Sequence, residues 1–280
     1  MKFKASCELE YYVRFPSTFI FNIHALQTAH QTILEETISV EPSIKSEEFT
    51  STLNENRYFR LEIKKKGLIK ISYQAIVDNN CQLVNLAEHP PIPISKLDQT
   101  VLPYLFPSRY CQSDKLFRLA SNKFGKIKNQ YQKVVAITNW IHRNVEYLSG
   151  VSDSQTSAFD TITERAGVCR DFAHLGIALC RTLSIPARYF TGYAYQLNPP
   201  DFHACFEAYI GGYWVIFDAT KLAPLNGLVK IATGRDAADA AVTSSFGNVQ
   251  CNYIHVHCEA METGFVPHVQ QPTEMLGISY

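Results

Sequence analysis

Residues 166–181 read A-G-V-C-R-D-F-A-H-L-G-I-A-L-C-R, and they predict a buried helix that begins at a cysteine. From Cys169 onward, apolar side chains fall on nearly every face, which is typical of a helix enclosed in the protein interior. Gly167 precedes this helix and Pro186 follows its expected end. The free N–H groups and the dipole of the first turn favour a thiolate at Cys169 and offer hydrogen-bond donors to an oxyanion. A small buried core cysteine is the alternative.

Residues 203–218 predict a β-hairpin. Two strand-like runs, 204–210 and 213–217, are separated by Gly211-Gly212, which is a strong two-residue hairpin signal. If the glycines form the turn, one face of the hairpin is apolar throughout, because side chains alternate between the two faces of a strand. The other face is of mixed polarity.

The hairpin register makes His203 and Asp218 diagonal neighbours on the mixed face, about 7–8 Å apart along the backbone, a distance that side chains can close. Cys205 lies on the same face, opposite Asp218. Together with Cys169, these residues offer a thiol, an imidazole and a carboxylate, the set that forms a thiolate, holds its base and orients that base. For an isolated His–Asp pair the alternative is a structural hydrogen bond, but the thiol at a helix start favours catalysis.

Five segments between about Trp140 and Asp239 form a specific set of motifs: G-V-C-R-D-F-A-H-L-G-I-A-L-C-R, I-P-A-R-Y-F-T-G-Y, D-F-H-A-C-F-E-A-Y, F-D-A-T and I-A-T-G-R-D-A-A-D. This set resembles the bacterial transglutaminase-like family, whose core is a circular relative of the papain-type cysteine peptidases. The resemblance implies that Cys169 is the nucleophile, His203 the base and Asp218 the orienting acid.

Two positions depart from the family pattern. Cys205 stands where the family usually has tryptophan, and Ala219 stands where it has proline. Neither residue belongs to the predicted triad, so the departures bear on substrate fit rather than on the chemistry.

The predicted function is therefore a cysteine-dependent hydrolase, a cysteine protease or amidase that cleaves amide or peptide bonds through a thioester. Two alternatives stay open. If an amine instead of water resolves the thioester, the protein is a protein-glutamine acyl transferase, that is, a transglutaminase. If the site is vestigial, the core is a binding or scaffold module, because a fold does not determine function.

The composition limits the classes of binding partner that are expected. The 280 residues are 46% hydrophobic, and 26 Lys and Arg balance 26 Asp and Glu. Without a net electrostatic field, neither nucleic acid nor an acidic membrane is expected, and a peptide or protein substrate is. The basic run Lys64–Lys66 is interpreted as a solvated hairpin tip.

The cysteines and the N-terminus favour a cytoplasmic protein. The eight cysteines include no C-x-x-C pair and no regular spacing, which argues against a disulfide framework or a zinc site. The N-terminal residues M-K-F-K-A-S-C-E-L-E alternate as a strand does and lack the apolar run of a signal peptide. No segment has the length of a membrane span.

The fold class predicted is α+β, with an N-terminal β-sandwich over residues 1–88, a proline-rich linker over 89–110 and a transglutaminase-like, papain-like catalytic core over 111–280. Alternating apolar residues mark the sandwich, and helical spacing begins at about residue 113 and continues to 147.

Several polar residues are given structural roles. Asp171 and His174 are expected to cap the helix and to make core hydrogen bonds. Arg235 and Asp239 match a family motif, and a capped helix start with a local ion pair is preferred to a cleft-lining role. No cofactor or metal is predicted, since His255 and its neighbours would point to different sides of a strand.

Overall fold

The computed structural model describes residues 1–52, 55–268, 270 and 274–280 of the chain. In chain order, the strands within these residues are β1 (Lys2–Val13), β2 (Ser17–Phe21), β3 (Gln31–Glu41), β4 (Ser46–Thr50), β5 (Arg57–Ile63), β6 (Gly67–Asn79), β7 (Gln82–Asn85), β8 (Glu146–Tyr147), β9 (Ala166–Gly167), β10 (Ala187–Ala194), β11 (His203–Ile210), β12 (Tyr213–Phe217), β13 (Leu228–Gly234), β14 (Thr243–Phe246), β15 (Val249–Ala260) and β16 (Leu276–Ser279). The helices are α1 (Phe117–Phe124), α2 (Gln130–Asn144), α3 (Ala158–Glu164), α4 (Cys169–Thr182) and α5 (Ala237–Ala240). None of these helices is both long and apolar enough to cross a membrane.

The alternating residues near the N-terminus build two antiparallel four-stranded sheets, ordered β15-β1-β6-β3 and β14-β2-β5-β4. Alternate residues of β1 point inward and are almost fully buried. The two sheets meet through aromatic contacts; the rings of Tyr11 on β1 and Phe19 on β2 have centroids 5.1 Å apart. The predicted β-sandwich is therefore present, and in residues 1–52 and 55–88 it contains strands but no helix.

Strand pairing crosses the boundaries that the sequence predicts for the sandwich and the core. β14 pairs with β2 and β15 pairs with β1, so residues 243–260 complete both sandwich sheets although they follow the core in sequence. In the other direction, β7 pairs with β16 in the core sheet. Such long-range antiparallel pairing leaves no local mark in the sequence, because an edge strand has the same alternation whichever sheet it joins.

The basic run Lys64–Lys66 is not a hairpin tip. It connects β5 to β6, and these strands belong to opposite sheets of the sandwich. The run is nonetheless exposed, as expected of three consecutive lysines.

The core is a six-stranded sheet, ordered β13-β10-β11-β12-β16-β7, with α4 packed against β11. The predicted hairpin register is confirmed, since Ile210 pairs with Tyr213 and Phe206 pairs with Phe217. The apolar face of β11 and the all-apolar sides of α4 form one buried cluster. This packing fixes the start of α4 relative to the start of β11.

Gly176 in the middle of α4 allows this close contact. A Cβ atom at this position would lie 2.5 Å from Cε1 of the buried Phe206 ring. We expect Gly176→Ala to destabilise the protein by about 1–3 kcal/mol through overpacking, although alanine in an exposed helix stabilises by about 1 kcal/mol. Urea unfolding of the single variant and of Gly176→Ala in a Phe206→Leu background measures this effect. If Gly176→Ala destabilised the Phe206→Leu protein as much as or more than the wild type, the Phe206 ring would not be the cause of the overpacking.

The proline-rich segment 89–110 is tied to the core by a buried arginine. The Arg181 guanidinium donates to the carbonyl oxygen of Phe106 at 3.0 Å and to Oγ of Ser108 at 2.9 Å. It also donates twice to the carbonyl oxygen of Ala187, at 3.0 and 2.8 Å. The segment therefore packs on the core at Phe106 and Ser108.

Candidate active site

Cys169 is the first residue of α4, as the sequence predicts. The turn before the helix is held by Asp171, whose Oδ2 accepts the Val168 backbone N–H at 2.9 Å. Gly167 makes room for this carboxylate, since a Cβ there would lie 2.7 Å from Cβ of Asp171. The predicted capping role of Asp171 is confirmed. The side chain of Cys169 is half-buried at the helix start, where N–H groups are free of intrahelical partners.

His203 and Asp218 are joined by a buried hydrogen bond, with 2.9 Å between Nε2 and Oδ2. The other carboxylate oxygen of Asp218 accepts two bonds from Thr220, from its backbone N–H at 2.8 Å and from its hydroxyl at 2.7 Å. Asp218 is therefore fixed by Thr220 and in turn fixes the imidazole. Thr220 received no role from sequence reasoning, although the D-A-T motif contains it; an aspartate two residues before a threonine is the available signal.

The start of β11 lies against the nucleophile candidate. The Sγ atom of Cys169 is 4.0 Å from the carbonyl oxygen of Phe202, the residue before His203. Asp218 occupies one ring nitrogen of His203, Nε2. The other nitrogen, Nδ1, is buried and has no hydrogen-bond partner of standard geometry. Nδ1 is thus the ring nitrogen that remains available, and Cys169 is near enough to the imidazole to help raise its pKa. The structure brings the three predicted residues together.

The electrostatics favour a charged imidazole. Burial alone would lower the pKa of His203, but the neighbouring Cys205 and Asp218 and hydrogen bonds to Asp218 and Cys169 raise that pKa well above its ordinary value. Burial raises the pKa of Cys205 to about 12, so this thiol is neutral at neutral pH and Asp218 supplies the charge. Burial alone would raise the pKa of Asp218, but His203 and the hydrogen bonds from Thr220 outweigh burial and hold this pKa below its ordinary value.

Cys205 lies on the face of β11 that carries His203, as the hairpin register predicts. One ligand-capable atom each from His203, Cys205 and Asp218 lies within 4.8 Å of the others. Nitrogen, sulfur and oxygen at that spacing could hold a soft divalent ion such as zinc. Two of the three are already engaged in the 2.9 Å hydrogen bond.

Tyr147 is a site residue that the sequence did not single out. The two-residue strand β8 pairs in parallel with β9, which places Tyr147 beside Gly167, two residues before Cys169. Its ring packs against Phe172 on α4, with centroids 5.8 Å apart. Burial and the adjacent Cys169 raise the pKa of Tyr147 to about 12, whereas His203 and hydrogen bonding to the Cys169 backbone N–H act in the opposite direction. The phenol is therefore protonated and lies beside the helix-start amide.

The remaining polar residues have the structural roles expected of them. Nε2 of His174 accepts the Ala237 backbone N–H at 3.1 Å, which is a core hydrogen bond. Arg235 forms a bidentate ion pair with Asp239, and Asp236 caps α5 by accepting the Ala238 N–H at 2.9 Å.

The C-terminal histidines do not converge on a site in the described part of the chain. His255 and His257 are exposed on β15, whereas Cys258 is buried on its other side. His257 instead lies 3.5 Å from the Glu259 carboxylate.

Together, the fold and this site define an α+β protein in which a β-sandwich accompanies a core that holds cysteine, histidine and aspartate in one place. Residues 1–100 match the family model "Bacterial transglutaminase, N-terminal domain", and residues 118–219 match "Transglutaminase-like superfamily". The chain belongs to the transglutaminase-like superfamily.

Solved structures and a curated protein extend this comparison. The chain is similar to a "Putative Cysteine Protease" from Cytophaga hutchinsonii, with 59% identity and a TM-score of 0.97 over 100% of this chain and 97% of that one. It is also similar to the periplasmic domain of TgpA from Pseudomonas aeruginosa, with 16% identity and a TM-score of 0.39 over 77% of this chain and 76% of that one. Uncharacterized protein ML0607 of Mycobacterium leprae is 26% identical over 145 residues, or 49% of this chain. The match covers 52% of ML0607, so the chain spans about half the length of this curated relative.

Proposed function

We propose that the protein is a cysteine-dependent hydrolase of amide or peptide bonds, with Cys169 as nucleophile, His203 as base and Asp218 as the acid that orients the base. One observation carries the proposal. The hydrogen bond that Nε2–H of His203 donates to Asp218 leaves Nδ1 as the free nitrogen beside a thiol at a helix start. The name of the Cytophaga hutchinsonii relative is consistent with this activity.

Acylation follows from these positions. Nδ1 of His203 takes the proton from Sγ of Cys169, and Asp218 stabilises the imidazolium that forms. The thiolate attacks the carbonyl carbon of the substrate amide, and the C=O π electrons move onto oxygen. Nδ1–H then protonates the leaving nitrogen as the C–N bond breaks, and a thioester to Cys169 remains.

The oxyanion has two donors within reach. The backbone N–H of Cys169 points out of the helix start, and the protonated phenol of Tyr147 lies beside that N–H. A preorganised pair of donors at the place where negative charge develops stabilises the transition state more than the ground state. Tyr147 is thus our candidate for the side-chain donor of the oxyanion hole.

Tyr147→Phe should lower kcat on an amide substrate by about 10²–10³-fold, the usual cost of losing one oxyanion donor. The aromatic ring remains, so its packing on Phe172 and the fold are expected to persist. Steady-state kinetics measure this loss, and Tyr253→Phe on the distant strand β15 is the matched control. If kcat were unchanged and only KM rose, Tyr147 would bind substrate instead of stabilising the oxyanion.

Deacylation decides between hydrolysis and acyl transfer. Water activated by His203 gives a hydrolase, and a primary amine in the same position gives a transglutaminase; both reactions share the acylation step. We favour water, because transfer requires a site that excludes it. A peptide library that includes glutamine-containing members, incubated with and without a labelled primary amine, separates the two by mass spectrometry. Cleaved peptides support the proposal; label incorporation without cleavage contradicts it, and Cys169→Ala protein serves as the blank.

A further inference from the structure

The helical segment before the active-site helix has an unusual charge pattern. The chain as a whole has balanced charge, with 26 cations and 26 anions, yet residues 115–145 contain cationic side chains and no aspartate or glutamate. The cations of this segment are Lys115, Arg118, Lys123, Lys126, Lys128, Lys133 and Arg143. They lie in the turn before α1, in α1, in the connection between α1 and α2, and in α2.

Within the part of the chain that the structure describes, these cations form no close ion pair with aspartate or glutamate, although Lys115 is near enough to Asp160 to help lower the pKa of that carboxyl, after the hydrogen bonds from Ser157. Other cations pair closely with carboxylates, for example Arg57 with Glu36 at 2.7 Å and Arg235 with Asp239 at 2.8 Å. The cations of residues 115–145 take part in no such pair among the described residues, and most of them are exposed. An unpaired surface of one sign attracts a partner of the other sign.

Two of these cations line a groove that leads toward Asp218. A cavity of about 470 Å³ between α1 and α2 is lined by Lys123 and Arg143. It shares Val135 and Asn139 with a second cavity of about 330 Å³, and that second cavity reaches Asp218. We call these two adjoining cavities the basic groove.

Lys221 extends the positive charge to the inner end of the basic groove. It lines the second cavity, and its Nζ donates to Oδ1 of Asn139 at 2.6 Å. Burial lowers the pKa of Lys221, and the nearby Arg143 lowers it further, while Asp218 acts in the opposite direction. Two cations therefore lie close together here, and a bound carboxylate would relieve their repulsion.

We propose that the substrate is an acidic polypeptide whose carboxylates occupy the basic groove while its scissile bond lies at Cys169. This inference rests on the proposed hydrolase function and names its substrate class. The groove also contains the apolar surfaces of Phe124, Ile127 and Trp140. A peptide that alternates acidic and apolar residues would satisfy both the charge and the apolar walls.

The test is a binding measurement on Cys169→Ala protein, which holds its ligand without turnover. Fluorescence anisotropy of a labelled peptide of alternating Glu and Leu is compared with the same peptide carrying Gln in place of Glu. At low salt, where screening is weak, we expect the Glu peptide to bind at least about tenfold more tightly. Lys123→Glu/Arg143→Glu should remove that preference. The matched control is Lys64→Glu/Lys66→Glu, which makes the same charge change in a separate cavity on the sandwich and should alter Kd less than about twofold.

Three results would overturn the proposal. The Gln peptide could bind as tightly as the Glu peptide, both double variants could weaken binding equally, or a thymidine oligonucleotide of similar length could bind the same groove more tightly than the Glu peptide. A further measurement links the groove to the substrate path. In the Cys169-containing protein, saturating Glu peptide should slow iodoacetamide labelling of Cys169 severalfold, and unchanged labelling would contradict a substrate role.

This binding assay does not depend on turnover. If the Glu peptide binds as expected while Cys169 proves unreactive, the hydrolase proposal fails and the acidic-ligand groove stands. If Cys169 proves reactive but the Glu peptide shows no preferential binding, the acidic-substrate proposal fails and the hydrolase proposal stands.

Discussion

Cys169→Ala should abolish amide cleavage, with a loss on the order of 10⁴–10⁶-fold in kcat, and leave the fold intact. The side chain is small and half-buried, so its removal costs little packing, whereas the proposed acylation loses its nucleophile. His203→Ala should be similarly severe because the thiol loses its base. Asp218→Asn should cost less, since it disturbs the orientation of the imidazole and leaves both reacting groups present.

Steady-state rates on a peptide substrate, with circular dichroism to verify folding, measure these losses. The matched control is Cys251→Ala, because Cys251 is an exposed cysteine on β15 in the sandwich. Near wild-type activity in Cys169→Ala, or an equal loss in the Cys251 variant, would contradict the assignment of the nucleophile.

Glu207→Gln should lower the free energy of unfolding by about 3–5 kcal/mol, as expected when a buried ion pair loses one partner. Glu207 is fully buried on β11 and pairs with Arg188 and with Lys230, whose Nζ lies 3.0 Å from Oε1. The variant would leave two cations facing a neutral amide in the interior. Of the two cations, Lys230 should contribute more to the loss of stability, because burial already lowers its pKa to about 8 despite the attraction of Glu207.

Urea unfolding as a function of pH tests this prediction, and Glu62→Gln on an exposed surface is the matched control. Burial raises the pKa of Glu207, but Arg188 and Lys230 outweigh it and hold the pKa below the ordinary value. A group with a lowered folded-state pKa stabilises the protein above its unfolded-state pKa, about 4.3 for glutamate, and that contribution is lost as the pH falls. The difference between wild type and Glu207→Gln should therefore be full at pH 7 and shrink in acid. A difference that is small at pH 7, or constant with pH, would refute the ionic account.

The local parts of the site were predictable from sequence because their signals are local. A continuous apolar pattern predicts α4 and its start at Cys169, and the Gly211-Gly212 turn fixes the register that places His203 near Asp218. A turn of known length determines which residues pair for the whole length of the hairpin. The juxtaposition of His203, Cys205 and Asp218 follows from that register.

The parts that could not be predicted depend on contacts between distant segments. Nothing within residues 243–260 indicates that they pair with β1 and β2 instead of with the core. Tyr147 reaches the site only through the pairing of β8 with β9, two strands of two residues each, which are too short to leave a periodic pattern. The basic groove likewise depends on a contact between distant segments, because Asn139 on α2 lies beside Lys221.

The central proposal, that His203 activates the thiol of Cys169, is tested most directly by the rate at which iodoacetamide alkylates each cysteine. Access alone favours Cys251, which is exposed, over the half-buried Cys169. Activation by His203 predicts the opposite order: at about pH 6, well below the usual titration range of a thiol, mass spectrometry should find Cys169 labelled at least tenfold faster than Cys251. His203→Ala should remove that advantage. Labelling of Cys251 first, or an equal Cys169 rate in wild type and His203→Ala, would contradict the account.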